Sequence, residues 1–197
     1  PEIFQSLSTL LRTIVAAALV NNVILVQFLG VSSLFAYSNR LRSALELALL
    51  SFLVLFLASF INLLLYRSVL APLGLENLKL IVFIGISSSI CTGLGILVEH
   101  YYALSMQRHR FAFYLVGGNS AVIGISLINS VSVLSIAESF AYSLGAAAGF
   151  AFVLIGFAAL RQRLETADLP APFRGYPINL ISAGIIAMCL LGFAGLV

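Results

Sequence analysis

Apolar residues fill this chain in long unbroken runs separated by short clusters of charge. The runs show neither the strict alternation of half-buried strands nor the narrow apolar stripe of a surface helix. Six stand out, at about 13–36, 44–66, 78–98, 110–129, 139–160 and 177–197. A bilayer-crossing helix needs about 20 apolar residues, so each run is a candidate span. A spanning β-barrel would need alternating segments of about ten residues, which continuous runs exclude. The pattern predicts an all-α, polytopic membrane protein with six transmembrane helices in one membrane domain, 1–197. The longest polar stretch, 161–176, is too short to fold as a water-soluble domain.

Composition sharpens this reading. Of the 197 residues, 61% are hydrophobic and 9% charged, against about 25% charged in a soluble domain. Mean hydropathy is +1.13. A chain of this size cannot bury that much apolar surface in one core, so a soluble enzyme and a nucleic-acid-binding domain are excluded. The opening string PEIFQSLSTLL lacks a basic segment and a small-residue cleavage site, so the first run is expected to be a retained span and not a removed signal peptide.

Lysine and arginine set the expected orientation. The connections after the first, third and fifth runs carry Arg40, Arg42, Arg108, Arg110, Arg161, Arg163 and Arg174, whereas the other side carries Arg12, Arg67 and Lys79. The bias puts the odd-numbered connections in the cytoplasm and both termini outside. It also accounts for the net charge of +3 without nucleic acid. Such connections can touch anionic lipid heads, but topology alone explains the arginines. Arg42 and Glu46 are spaced to pair along one helix face. The 161–176 connection, stiffened by Pro170, Pro172 and Pro177, either docks a neighbouring subunit or is simply solvated.

The chain also looks duplicated. LVNN at 19–22 recurs as LVGG at 115–118, ALLSFLVLFLA at 48–58 resembles AAAGFAFVLIG at 146–156, and Cys91 is matched by Cys189. These offsets agree within two residues: 96, 98 and 98. Repeats over 1–103 and 104–197 would each hold three spans and enter the membrane from opposite sides. Transporters built this way place function at the midplane, between interrupted helices. Polar residues fall where the interruptions are expected: Asn21, Asn22, Gln27, Gly30, Ser32 and Ser33 in the first run, and Gly117, Gly118, Asn119 and Ser120 in the fourth. Glycine loosens a helix, and freed backbone groups in lipid need partners that Asn can supply. Asn21, Asn22, Gly30, Gly117, Gly118 and Asn119 are thus candidates for an ion or electron path. The alternative is that they are interhelical glue and close-packing positions. A straight helix over 13–36 would leave Ser32 near a membrane surface, so its pairing with Ser120 requires a real break.

VNNVILVQFLG (20–30), GNSAVIG (118–124), FAALRQRLETADLPAPFRG (157–175) and LISAGIIAMCLLGFAGLV (180–197) closely resemble the A-type membrane subunit of Rnf ion-translocating electron-transport complexes. The E subunit of the sodium-pumping NADH:quinone reductase is a related protein. The resemblance covers nearly the whole chain. It implies a membrane subunit of a complex coupling electron transfer to Na⁺ or H⁺ translocation, with a homologous membrane partner of opposite topology and further flavin- and iron–sulfur-containing subunits. In that family the first span carries Gly-Leu-Cys-Pro-Phe and the fourth Thr-Thr-Asn-Cys, and the two cysteines share a [2Fe–2S] cluster with the partner. The matching residues here are Ser32 and Ser120.

That departure puts the cofactor in doubt. Clusters are held by soft thiolates, and a hydroxyl is hard and far less acidic, so two serines should weaken a site greatly. An acidic residue of the family's third span is matched by Gly95, with Glu99 one turn on and placed at the helix end. Cys91 and Cys189 lie on other helices and read as small buried hydrophobes, and His100 and His109 as boundary residues. The aromatic residues Phe111, Phe113 and Tyr114 fit an interfacial belt. A reading from another class stays open: a diverged paralogue without a redox centre, serving as a structural subunit or a small-solute or ion transporter.

Overall fold

The computed structural model describes residues 2–38, 41–101, 118–132, 134–168 and 170–193. These residues form helices and connections only. Helix α1 (Glu2–Val15) runs into a π-helical turn (Ala16–Val20) and stops. After an irregular segment at 21–30 come α2 (Val31–Tyr37) and α3 (Leu41–Leu65), the latter extended by a second π turn (Tyr66–Leu70). Then follow α4 (Lys79–Tyr101), α5 (Ser120–Val131), α6 (Ile136–Glu165) and α7 (Tyr176–Leu191).

Each of the six apolar runs contains an apolar helix. Leu41–Leu70, Glu76–Leu97 and Ile136–Glu165 are long and apolar enough to cross a membrane, and Leu7–Val20, Ser120–Val131 and Tyr176–Leu191 are shorter. The interruption expected in the first run is present, because helix ends at Val20 and resumes at Val31. In the fourth run a helix starts at Ser120, while Gly117, His109 and the aromatic residues of 111–114 lie outside the described residues.

Helix α6 is the spine. Ser135 caps its start, accepting from the Glu138 N–H while the Glu138 carboxylate accepts from the Ser135 N–H, a reciprocal box that satisfies two end donors. Its length packs against α3, and its middle against α1 and the first π turn. Phe150, Leu154 and Phe157 are fully buried along this helix, with Val54, Leu55 and Ala58 buried on α3. The contact with α1 needs glycine. A Cβ at Gly145 would strike the Ile14 carbonyl, and one at Gly149 the Ala18 carbonyl. Two small residues four apart let backbones meet where lipid offers no hydrophobic drive for helix association.

Arginines tie the two ends of the bundle. Arg161, at the end of α6, donates through Nη1 to the Phe35 carbonyl (3.1 Å) and Ser38 Oγ (2.8 Å), closing the end of α2. At the opposite end of α6, Arg67 donates to the Leu134 carbonyl. The expected pair of Arg42 and Glu46 is present at 3.9 Å on an exposed face, where it contributes little.

Gly149 and Gly156 lie on one helix in opposite surroundings, since a Cβ at Gly156 meets nothing within 4 Å. Gly149→Ala should lower stability by about 1–3 kcal/mol through overpacking. Gly156→Ala should raise it by up to about 1 kcal/mol through helix propensity. Thermal unfolding of the two variants in one detergent checks the opposite signs.

Candidate functional site at the helix break

The break at 21–30 buries its own backbone. Val23, Ile24 and Leu25 are within the core, where a polar backbone group without a partner is costly. Asn22, fully buried, substitutes for the lost helical bonds. Its Nδ2 donates to the Ala18 carbonyl at 2.8 Å, and its Oδ1 accepts from the N–H groups of Ile24 (3.1 Å) and Leu25 (3.3 Å). The same Ala18 carbonyl abuts Gly149, so the break is registered directly on α6.

The segment ends with Phe28 at φ 56° and Gly30 at φ 76°. Here the two polar clusters meet. The Gly30 N–H donates to Ser120 Oγ at 3.0 Å, and Asn119 Nδ2 donates to Ser33 Oγ at 3.3 Å. Asn119 also caps α5, its Oδ1 accepting from the Ala121 N–H at 3.0 Å. A Cβ on Gly30 would come within 2.6 Å of Asn119 Oδ1 and 2.8 Å of Phe150. The first break and the start of α5 are thus joined at a crossing too tight for any residue but glycine.

The candidates divide by face. Asn22, Gly30 and Asn119 are buried and hold the crossing, whereas Asn21, Ser32, Gly118 and Ser120 are exposed on the single chain. Ser33 is the member that sequence reasoning underweighted, and its place one residue after Ser32 hid its inward direction. Cys91 is buried on α4 and Cys189 exposed on α7. Gly95 is buried.

This arrangement does not fit the cluster that the family resemblance implies. The ligand positions offer hydroxyls, and the Ser120 oxygen already accepts the Gly30 N–H.

A second polar group is buried between α3, α4, α5 and α6. Asn62 of α3 donates to Ser126 Oγ of α5 at 2.9 Å and to Ser87 Oγ of α4 at 3.3 Å. Asn129 donates to Ser143 of α6 at 2.8 Å. The Asn62 and Asn129 carboxamide oxygens are buried without a hydrogen bond among the described residues. Asn62 is the one Asn in the second apolar run, a signal that buried amides between helices give in plain view.

A polytopic helical protein with a buried helix break, braced by amides and hydroxyls, is the class this architecture defines. The family profile described as "Rnf-Nqr subunit, membrane protein" matches residues 10–197. The chain is 42% identical over 184 residues to the A subunit of the ion-translocating oxidoreductase complex of Alkalilimnicola ehrlichii, covering 93% of this chain and 95% of that protein. It is 38% identical over 187 residues to the corresponding A subunit of Hahella chejuensis, covering 95% and 97%, and 37% identical over 191 residues to that of Shewanella loihica, covering 97% and 100%. The chain belongs to the Rnf-Nqr membrane subunit family.

Ser120→Ala removes the acceptor of the Gly30 N–H and should cost about 1 kcal/mol or more. Gly30→Ala adds a positive-φ strain to a steric clash and should cost more than Ser120→Ala. Asn62→Ala should cost about 0.6–1.7 kcal/mol, the range of interhelical hydrogen bonds in membranes. Thermal unfolding in detergent ranks the three. A stability of Gly30→Ala equal to wild type would contradict the crossing described here.

Proposed function

We propose that this protein is the A-type membrane subunit of an ion-translocating oxidoreductase complex, coupling electron transfer to movement of Na⁺ or H⁺. The observation that carries the reading is identity of 37–42% to proteins of that name along nearly the entire chain. In this reading the chain lies in a bacterial inner membrane with both termini outside. It pairs with a homologous subunit of opposite topology and works beside flavin- and iron–sulfur-containing subunits.

Ser32, Ser120, Asn21 and Gly118, exposed on the single chain, form the face presented to that partner. Asn22, Gly30 and Asn119, buried behind that face, shape the path. The chain acts here as scaffold for the path and supplies no thiolate to a cluster, because both matching side chains are hydroxyls.

The test is affinity purification of the tagged chain from its native membranes. Flavin- and iron–sulfur-containing subunits should co-purify, and inverted vesicles should show donor-driven Na⁺ uptake or acidification that deletion of this chain abolishes. Recovery of the chain alone, with unchanged ion uptake in the deletion strain, would overturn the assignment. After soluble iron–sulfur subunits are stripped, the membrane core should give no [2Fe–2S] EPR signal on dithionite reduction. A signal lost in Ser120→Ala would refute the scaffold role.

A further inference from the structure

Beyond the break, the structure holds a cavity of about 360 Å³ where the end of α6, the 166–175 connection and the first turn of α7 meet. Three features of its wall point the same way. Asn179 is only 3% exposed, lines the cavity, and its carboxamide makes no hydrogen bond among the described residues. Arg161 and Arg174 flank it. Helix α7 opens beside it from Gly175, with no side chain capping its first turn, so that turn presents the positive end of a helix.

The charges are arranged asymmetrically. Glu165 also lines the cavity, 3.8 Å from Arg161, but its side chain is 57% exposed while that of Arg161 is 17% exposed. Asp168, 3.7 Å from Arg174, is fully exposed. The carboxylates therefore face water, and the recessed side holds a guanidinium, an amide with two N–H donors and a helix N-terminus. Arg161 uses Nη1 on Phe35 and Ser38, leaving Nη2 without a hydrogen bond among the described residues. This donor set suits a phosphate oxyanion.

The remaining surroundings are those of a membrane surface. Leu164 and Ile178 form apolar walls of the cavity. Tyr176, Leu180, Ile181 and Ile185 leave an exposed apolar face along α7, with the tyrosine at its start, where aromatic residues sit at the headgroup level. This end carries Arg161, Arg163 and Arg174, the arginine-rich side that the charge bias puts in the cytoplasm, where basic pockets between helices take anionic headgroups.

We infer that the cavity formed by Arg161, Arg174 and Asn179 is a binding site for the phosphate of an anionic phospholipid, whose acyl chains lie along α7. The headgroup completes the hydrogen bonding of Asn179 and fastens the connection to α6 and α7.

The test uses the intact detergent-purified complex and two variants. Asn179→Asp keeps the size of the side chain and adds a negative charge beside two arginines, so it repels an anion without emptying the site. Arg174→Gln removes one charge from an exposed position. Phospholipid retained after extensive detergent washing is quantified by mass spectrometry, and thermal stability is read in nanodiscs of phosphatidylglycerol or of phosphatidylcholine. Wild type should retain phosphatidylglycerol and be stabilised by it over phosphatidylcholine. Arg174→Gln should weaken that preference about fivefold, and Asn179→Asp should abolish it.

Equal retention in wild type and both variants would overturn the site. Full stabilisation by inorganic phosphate alone would assign the cavity to free phosphate and overturn the lipid. Loss of a neighbouring subunit from Asn179→Asp, with retained lipid unchanged, would assign it to an acidic side chain of that subunit, which also overturns the lipid.

Discussion

A chain segment that leaves the helix inside an apolar medium strands its N–H and C=O groups, and water is not there to take them. Everything around residues 21–30 answers that constraint. Asn22 reaches back to the Ala18 carbonyl and forward to two N–H groups, so one side chain replaces three missing helical contacts. Ser120 takes the Gly30 N–H from across the fold. The apolar residues between them, Val23 to Leu25, can then be buried like any core residues. The break is stable because its polar groups are satisfied locally and because α6 stands directly behind it.

That second condition explains the glycines. Gly145 and Gly149 are not loosening α6, which is continuous over Ile136–Glu165. They let the Ile14 and Ala18 carbonyls lie against its backbone. The Ala18 carbonyl therefore meets both Asn22 and α6 in one place. A displacement of α1 by one methyl group would be felt at the break, since packed interiors relax only partially around added volume. Helix packing, the π turn and the polar segment are one mechanical unit, and Asn22 and Gly30 inherit their positions from it.

Much of this was legible in the sequence, for identifiable reasons. Run length and charge spacing located an apolar helix in each of six runs, because crossing a bilayer imposes a length that few other pressures imitate. The break was legible in Asn21, Asn22 and Gly30, residues that a continuous apolar helix has no use for. What could not be read was direction. Ser32 and Ser33 are adjacent, yet one is exposed and the other accepts from Asn119, a difference set by the positive φ of Gly30 and by the restart of helix at Val31. In the sequence Arg161 reads as one residue of a mixed-charge connection, either docked on a neighbouring subunit or solvated. Its bonds to Phe35 and Ser38 depend on the end of α2 reaching the end of α6, a contact 126 residues apart along the chain that no local pattern encodes.

Oxygen at Ser120, where the family resemblance implies sulfur, has a structural use in this geometry. A thiol is a weak hydrogen-bond acceptor and a good ligand for soft metals, whereas a hydroxyl is the reverse. At position 120 the oxygen accepts the backbone N–H that the break at Gly30 exposes. The hydroxyl thus serves the crossing as a hydrogen-bond acceptor. Here Ser120 to Gly30 and Asn119 to Ser33 bind the same two segments through hydrogen bonds alone. The crossing therefore needs no thiolate at Ser32 or Ser120 to hold it, because what holds it is the satisfaction of its own polar groups.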